Sequence, residues 1–363
     1  MGQAQILDGV KLDFDDVLIV PKSSINASRK AVNLVREFKF YHSSNVWKGV
    51  PILAANMDTT GTFAMAKVMR DHQMGCVLHK HYSVLDKMGQ SLTDQQDGYN
   101  IESFGMDAMN HNMPPKYVCL DVANGYTNQF LELVSKMREK HGKELTIIAG
   151  NVCTPNMVER LIDHGADIVK IGVGGGSVCT TRLVAGVGYP QLSAIMECAD
   201  AAHGRKSDEG RLGLICADGG CRTPGDICKA FAAGADFVMV GGMLAGTDEC
   251  DGEWEYDVKW ERTTHPTLGI SIREERRGGK KALSFYGMSS YSAQDKYNGR
   301  KDYTASEGKK VSVPYKGPVA DILKEIVGGL RSCCAYVGAT DLRYLGDCAS
   351  FVRVNRTHNR IFE

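Results

Sequence analysis

No uncharged apolar run in the 363 residues approaches the roughly 20 that a membrane-spanning helix needs, which excludes a helical membrane span. The opening stretch MGQAQILDGVKLDFDD is mixed and acidic, without the apolar segment of a secretory signal, so export is not expected. Net charge is absent too: Lys plus Arg and Asp plus Glu number 43 each. No global field therefore recruits nucleic acid or an anionic membrane. The 12 cysteines have no framework spacing, and neither Cys216 and Cys221 nor Cys333 and Cys334 form CxxC pairs with partner histidines. That argues against a disulfide scaffold and structural zinc, and for reduced thiols in a cytoplasmic protein. Finally, no GxGxxG opens a helix with an acidic residue about 20 positions on, which disfavours a doubly wound dinucleotide fold.

What is abundant is glycine, 40 residues, many directly after apolar runs. Such runs are PILAANM (51–57), GCVLHK (75–80), YVCLDVA (117–123), LTIIAGNV (145–152), DIVKIGV (167–173), LGLICADGG (212–220), DFVMVGG (236–242) and ALSFYGM (282–288). Helical periodicity fills the gaps, as in Phe130, Leu133, Val134 and Met137, or Leu192, Ile195, Met196 and Ala199 after Pro190. The segment His164-Gly-Ala-Asp-Ile-Val is echoed by Ala233-Gly-Ala-Asp-Phe-Val, marking a repeated helix-to-strand unit. Eight β-runs alternating with helices predict an α/β fold, a (β/α)8 TIM barrel forming one domain over 1–363. Residues 1–50 read as a leader packed across it. Residues 250–281 read as a charged loop excursion, and the polar stretch 289–317 as a mobile active-site flap leaving the eighth run. Helix 319–330 then returns to the barrel.

The chemistry concentrates in IVKIGVGGGSVCTTRLVAGVGYPQL, residues 168–192. A buried strand stops at Gly174, Gly175 and Gly176, and Ser177 and Cys179 follow. Free cysteines are usually small buried hydrophobes, but a loop of Gly, Ser and Thr offers donors and little burial. Cys179 is the candidate nucleophile, with Thr181 and Glu307 as candidate proton carriers. Glycines after successive strands, Gly219-Gly220, Gly241-Gly242 and Gly287-Met288-Ser289, can cradle a phosphomonoester together with Ser177. Asp218 is placed either to hold ribose hydroxyls or to cap the following helix.

The motifs GVGGGSVCTTR, GVGYPQLSA, ADGGC, FVMVGGM, FYGMSS and ASEGK, in this order, resemble GMP reductase, whose sister family on the same barrel is IMP dehydrogenase. The likeness runs from DFDDVLIVPK to the C-terminal segment. IMP dehydrogenases usually insert a regulatory module after the second strand, and residues 83–115 leave no room for one. FYGMSS matches the reductase wording, and Glu307 stands where the dehydrogenase has glutamine. The resemblance implies that Cys179 attacks C2 of the purine of GMP and expels ammonia, that NADPH reduces the thioimidate to IMP, and that Thr181 with Glu307 protonates the leaving amine. It implies GMP contacts at Ser177, Asp218, Gly219, Gly220, Gly241, Gly242, Gly287, Met288 and Ser289, with Ala305, Ser306 and Gly308 from the flap. Dinucleotide contacts are implied at Lys80, Asp121, Val122, Ala123 and Met288, at Ser332, Cys333, Cys334 and Ala335, and at Ser28 and Arg29 of a neighbouring subunit, hence a homotetramer. A monovalent cation, K+, is implied at the carbonyls of Gly174, Gly176 and Cys179 with Arg182. Thr304, Gly175 and Ser332-Cys333-Cys334-Ala335 depart from the usual Arg, Pro and Ser-Thr-Cys-Thr. The competing readings are an IMP dehydrogenase without its regulatory module and a silent purine-nucleotide-binding barrel. A silent barrel has no reason to keep Cys179, Thr181 and Glu307 together.

Overall fold

Strict alternation along the apolar runs settles how the chain folds in the computed structural model, which describes residues 6–24, 28–83, 86, 98–110, 115–208, 210–264, 267, 271–297 and 299–355. Eight parallel strands close into a barrel: β1 (Ile52–Ala54), β2 (Gly75–Leu78), β3 (Asn100–Phe104), β4 (Tyr117–Asp121), β5 (Thr146–Val152), β6 (Ile168–Ile171), β7 (Leu214–Asp218) and β8 (Phe237–Val240). Leu53, Val77, Ile101, Cys119, Ile148, Ile168, Cys216 and Phe237 fill the interior. Their neighbours Ile52, Cys76, Val118, Ile147, Val169, Ile215 and Val238 pack outward under the helices. Both faces are buried, as a parallel sheet between two apolar layers requires.

One of the expected barrel strands is replaced by another that was not expected. The run at 282–288 is not a barrel strand but the end of Ser271–Tyr286, which pairs antiparallel with Trp254–Thr264 and Lys310–Pro314. It reads as apolar because Ala282, Leu283, Phe285 and Tyr286 are buried. The strand passed over is β3, NIESF. Its Asn100 and Ser103 are buried polar residues, and the Ser103 hydroxyl donates to the Leu78 carbonyl at 2.5 Å. The 250–281 excursion is therefore mostly a β-ribbon. Trp254, Tyr256, Val258 and Trp260 alternate with charge, a period of two that composition alone hides. Its residues 265–266 and 268–270, residue 298 of the flap, and most of 84–97 and 111–114 lie outside the described residues.

Each end of the barrel is finished differently. At the N-terminal end the hairpin Arg36–Lys39 and Val46–Gly49, with Phe38 opposite Trp47, plugs the interior. The Phe237 ring lies 4.5 Å from Phe38 and 5.0 Å from Trp47. The repeated Gly-Ala-Asp also acts here. Gly165 and Gly234 take φ of +101° and +105°, open to glycine. The buried Asp167 then accepts from the Ile147 backbone N–H of β5, and Asp236 from that of Ile215 in β7. One device thus ties two strand starts to their neighbours. Among the described residues no helix is long and apolar enough to cross a membrane.

His42 at this end gives a pH prediction. Burial first, and Arg138 second, lower its pKa from 6.5 to about 4, so the folded state keeps the ring neutral. The unfolded chain binds that proton more readily, so stability is full above pH 6.5 and is lost as pH falls toward 4. Urea midpoints measured across this window should decline in the parent and decline less in His42→Gln. Parallel slopes would show that His42 does not contribute.

Candidate active site

The C-terminal ends of the strands carry an ionic core with the catalytic loop laid over it. Lys170 of β6, 2% exposed, points inward and donates to Asp121 of β4 at 2.6 Å. It stands 3.2 Å from Asp218 of β7. Burial opposes its charge, but the two carboxylates raise its pKa well above the usual lysine value. Asp121 is held below its usual range, against the effect of burial, by Lys170 and then Lys80. Asn151 completes the group, its amide donating at 2.9 Å to both Asp218 and the Gly172 carbonyl. Asp218 is not a helix cap: the helix Pro224–Ala232 is capped by Thr223, whose hydroxyl accepts from Asp226 N–H. Sequence reasoning passed over Lys170, although a lone lysine in an otherwise apolar strand marks a buried charge in need of partners.

Above this core the loop after β6 turns back on itself. Gly172 has to be glycine, because a Cβ there would run into the Asp218 carbonyl oxygen. The leader fastens the loop at two points. Asp13 accepts from Arg182 at 2.9 Å and from the Gln191 backbone N–H at 2.5 Å. Arg182 also reaches the Tyr189 carbonyl at 2.6 Å, which leaves its Nε buried without a partner. Just ahead of these fixings Cys179 is presented, half-buried, at the mouth.

The flap meets it there. Cys179 forms an antiparallel bridge with Gly308, and Thr180 N–H donates to the Glu307 carbonyl at 2.8 Å. The side chains then align. Cys179 Sγ lies 3.2 Å from Thr181 Oγ1, and that hydroxyl donates to Glu307 Oε2 at 2.8 Å. Residues 126 apart in sequence make one continuous path from sulfur to carboxylate. A thiol, a hydroxyl relay and a carboxylate in contact suit nucleophilic attack coupled to proton transfer.

The expected phosphate loops converge on the same place. Gly219 and Gly220, at φ of +97° and +82°, sit against Gly175 and Gly176, where a Cβ on Gly219 would stand 3.2 Å from the Gly176 nitrogen. A Cβ on Gly242 would meet Ser177 Oγ at 2.5 Å, and one on Gly241 would stand 3.1 Å from Met57 sulfur. Gly287 abuts Val178 and Gly308, and the Ser289 carbonyl accepts from Glu307 N–H at 3.2 Å. Ser306 bonds the Gly308 carbonyl through its hydroxyl at 2.8 Å, while Ala305 is exposed beside it. Lys80, exposed at the end of β2, and Asp121–Ala123 share this mouth.

The remaining dinucleotide candidates do not. Ser332–Ala335 lie on the outer helix Val319–Val337, where Cys333 meets Cys228 of the helix Pro224–Ala232, and Arg29 stands over the Tyr336 ring at 6.0 Å. Asn33 N–H donates to Thr340, and Arg36 to Asp236 at the start of β8. Within one chain Ser28, Arg29 and 332–335 thus sit toward the opposite end of the barrel from Lys80.

A parallel barrel with its reactive side chains on loops at the C-terminal strand ends defines the (β/α)8-barrel enzymes. Residues 114–360 match the family described as IMP dehydrogenase / GMP reductase domain. The chain is 48% identical to GMP reductase 1 of Homo sapiens over 97% of this chain and 98% of that protein. It is 49% identical to human GMP reductase 2, over 97% of each, and 47% identical to the GMP reductase of Escherichia coli O81 (strain ED1a), over 99% of each. The chain belongs to the IMP dehydrogenase/GMP reductase family, a family of oxidoreductases.

The ionic core yields a stability prediction. Lys170→Met leaves two carboxylates facing each other without their cation, and removing one partner of a buried pair costs about 3 kcal/mol or more. Without Lys170, burial makes Asp121 bind a proton more readily in the folded chain than unfolded, so stability should recover as pH falls from neutral. Urea denaturation near pH 7 and pH 5 checks this, and parent-like stability at both would refute the coupling.

Proposed function

We propose that the chain is a GMP reductase, which converts GMP to IMP and ammonia at the expense of NADPH. The observation that carries this is the unbroken path Cys179–Thr181–Glu307, supported by near-full-length likeness to proteins named GMP reductase. The Cys179 sulfur attacks C2 of the guanine ring. The C2–N bond then breaks, and the amine leaves as ammonia with a proton passed through Thr181 from Glu307. A nicotinamide held by Lys80, Asp121–Ala123 and Met288 would supply the hydride for C2, with cleavage of the C2–S bond returning Cys179 as IMP forms. A covalent thiol intermediate divides one difficult substitution into two easier steps.

The binding roles follow the placement. Ser177, Gly219-Gly220, Gly241-Gly242 and Gly287–Ser289 line one concave face whose backbone approach admits phosphate. Asp218, not needed as a cap, is free to accept ribose hydroxyls. Ala305, Ser306 and Gly308 close over the base. Lys80, Asp121–Ala123 and Met288 would hold the nicotinamide half of NADPH. The adenosine half would rest on Ser28, Arg29 and Ser332–Ala335 of a neighbouring subunit, since those residues lie away from this chain's own mouth; that favours a homotetramer. The carbonyls of Gly174, Gly176 and Cys179 are oxygen donors suited to a large monovalent cation such as K+. Arg182 would join them through its backbone, its side chain being held by Asp13. The protein would serve purine salvage in the cytoplasm.

NADPH oxidation by the purified protein should depend on GMP and release ammonia in equal amount. Activity with IMP and NAD+ alone would make it a dehydrogenase instead, and GMP binding without turnover a silent barrel. Cys179→Ala should abolish turnover while retaining GMP binding. Glu307→Gln should slow ammonia release more than hydride transfer, by about 100-fold or more for a lost general acid. Equal slowing of both steps would remove Glu307 from the role given to it.

A further inference from the structure

Glu307 reaches Thr181 only if the flap is seated, and the seat is a buried carboxylate outside the relay. Asp58 lies in the turn after β1, 3% exposed. Its Oδ2 accepts three hydrogen bonds: from the Tyr286 hydroxyl at 2.6 Å, Lys296 Nζ at 2.8 Å and the Tyr297 hydroxyl at 2.8 Å. All three donors come from the far side. Tyr286 ends the ribbon strand from which the flap departs, and Lys296 and Tyr297 close the flap helix Tyr291–Tyr297. From the end of β2, the His81 ring lies flat on Tyr297, with centroids 3.5 Å apart and an interplanar angle of 7°. Two barrel loops therefore grip one flap helix.

We propose that Asp58 is a positioning residue that docks the flap helix and thereby sets Glu307 against Thr181; this rests on the relay described above. A carboxylate serving only the barrel would be satisfied by barrel groups. Asp58 instead leaves Oδ1 buried without a partner and gives Oδ2 wholly to the flap side. Burial pushes its pKa up, yet the bonds from Lys296, Tyr286 and Tyr297 hold it below the usual carboxylate range, so it stays anionic. The chain from the helix to Glu307 has local order of its own. Arg300 forms a two-pronged pair with Asp295 at 2.7 Å, and Tyr291 N–H donates to Ser306 Oγ at 3.2 Å. A shift of the helix is thus transmitted to Ser306 and Glu307 and not absorbed by slack. At the neck of the flap Tyr286 pairs with Lys310, and Phe285, Val178, Met57 and Val311 form a small apolar cluster. The neck is fixed by packing, and the helix by Asp58.

The test is Asp58→Asn, which keeps the shape but removes the charge and turns one oxygen into a donor facing donors. With displacement of the relay by an ångström or so, kcat should fall by roughly 10- to 100-fold. GMP affinity should fall by a smaller factor than kcat, because of the GMP contacts only those of the flap move with the helix. Ammonia release should slow more than hydride transfer, and trypsin should cut at Arg300 and Lys301 faster than in the parent. Lys296→Met and Tyr297→Phe, which leave Asp58 intact and remove one donor each, should show the same pattern more weakly. They carry the test if Asp58→Asn does not fold. Unchanged kcat and unchanged cleavage would overturn the proposal. So would a fall in thermal midpoint and GMP affinity without selective loss of ammonia release, which marks a merely structural residue. The cleavage readout is independent of turnover, so a parent protein inactive toward GMP would refute the reductase reading while leaving the docking of the flap decided on its own.

Discussion

One buried ammonium organises the working end of this barrel. Lys170 sits where β4, β6 and β7 would otherwise bring two carboxylates together with nothing between them. Its charge stands between Asp121 and Asp218 at the mouth, and its backbone crowds the next strand. Gly150 on β5 has no room for a Cβ, which would lie 2.6 Å from the Lys170 Cβ and carbonyl oxygen. Asn151 beside it bridges Asp218 to the Gly172 carbonyl, where the catalytic loop starts. From the ammonium outward, each group is held by the one beneath it, ending at Cys179.

Charge at the opposite end does a different job. Asp167 and Asp236 accept backbone N–H groups at the starts of β5 and β7 and draw in Arg138, His203 and Arg36. Asp236 is saturated by the protein itself, while Asp167 spends Oδ2 on these bonds and leaves Oδ1 buried without a partner. At the mouth Asp121 and Asp218 keep 27% and 22% of their side chains exposed. The carboxylate of Asp236 is closed off by protein groups at the sealed end, and the partly exposed ones at the open end lie within reach of a ligand.

The barrel was legible because its signal is periodic. Seven of its strands stand out as apolar runs, and the Gly-Ala-Asp repeat shows two of the helix-to-strand joints directly. The miss at β3 and the misplacement of 282–288 have one cause. Hydrophobicity reports burial, not what buries a strand. NIESF hides two buried polar residues inside the sheet, while ALSFYGM is buried by the loops at the barrel mouth and its own ribbon. In the site, glycines and Cys179 were readable from local context alone. Asp13, Asn151 and Asp58 were not, since each gains its meaning from a partner at least 67 residues away. No short motif carries such a pairing.

That distance also explains how reactivity is controlled. Cys179 and Thr181 sit two residues apart on a loop pinned by the leader through Asp13, so the sulfur and the hydroxyl are fixed together by the barrel. Glu307 arrives on a separate element whose contact with the loop is a single bridge at Gly308 and a few backbone bonds. A bridge that short gives little register of its own. Precision in the carboxylate must therefore come from elsewhere, and the only charged group buried between the barrel and the flap helix among the described residues is Asp58. Under the proposed function, splitting the relay across two elements lets substrate enter while Glu307 is away. It also makes the alignment of Glu307 a consequence of how well the flap helix is docked.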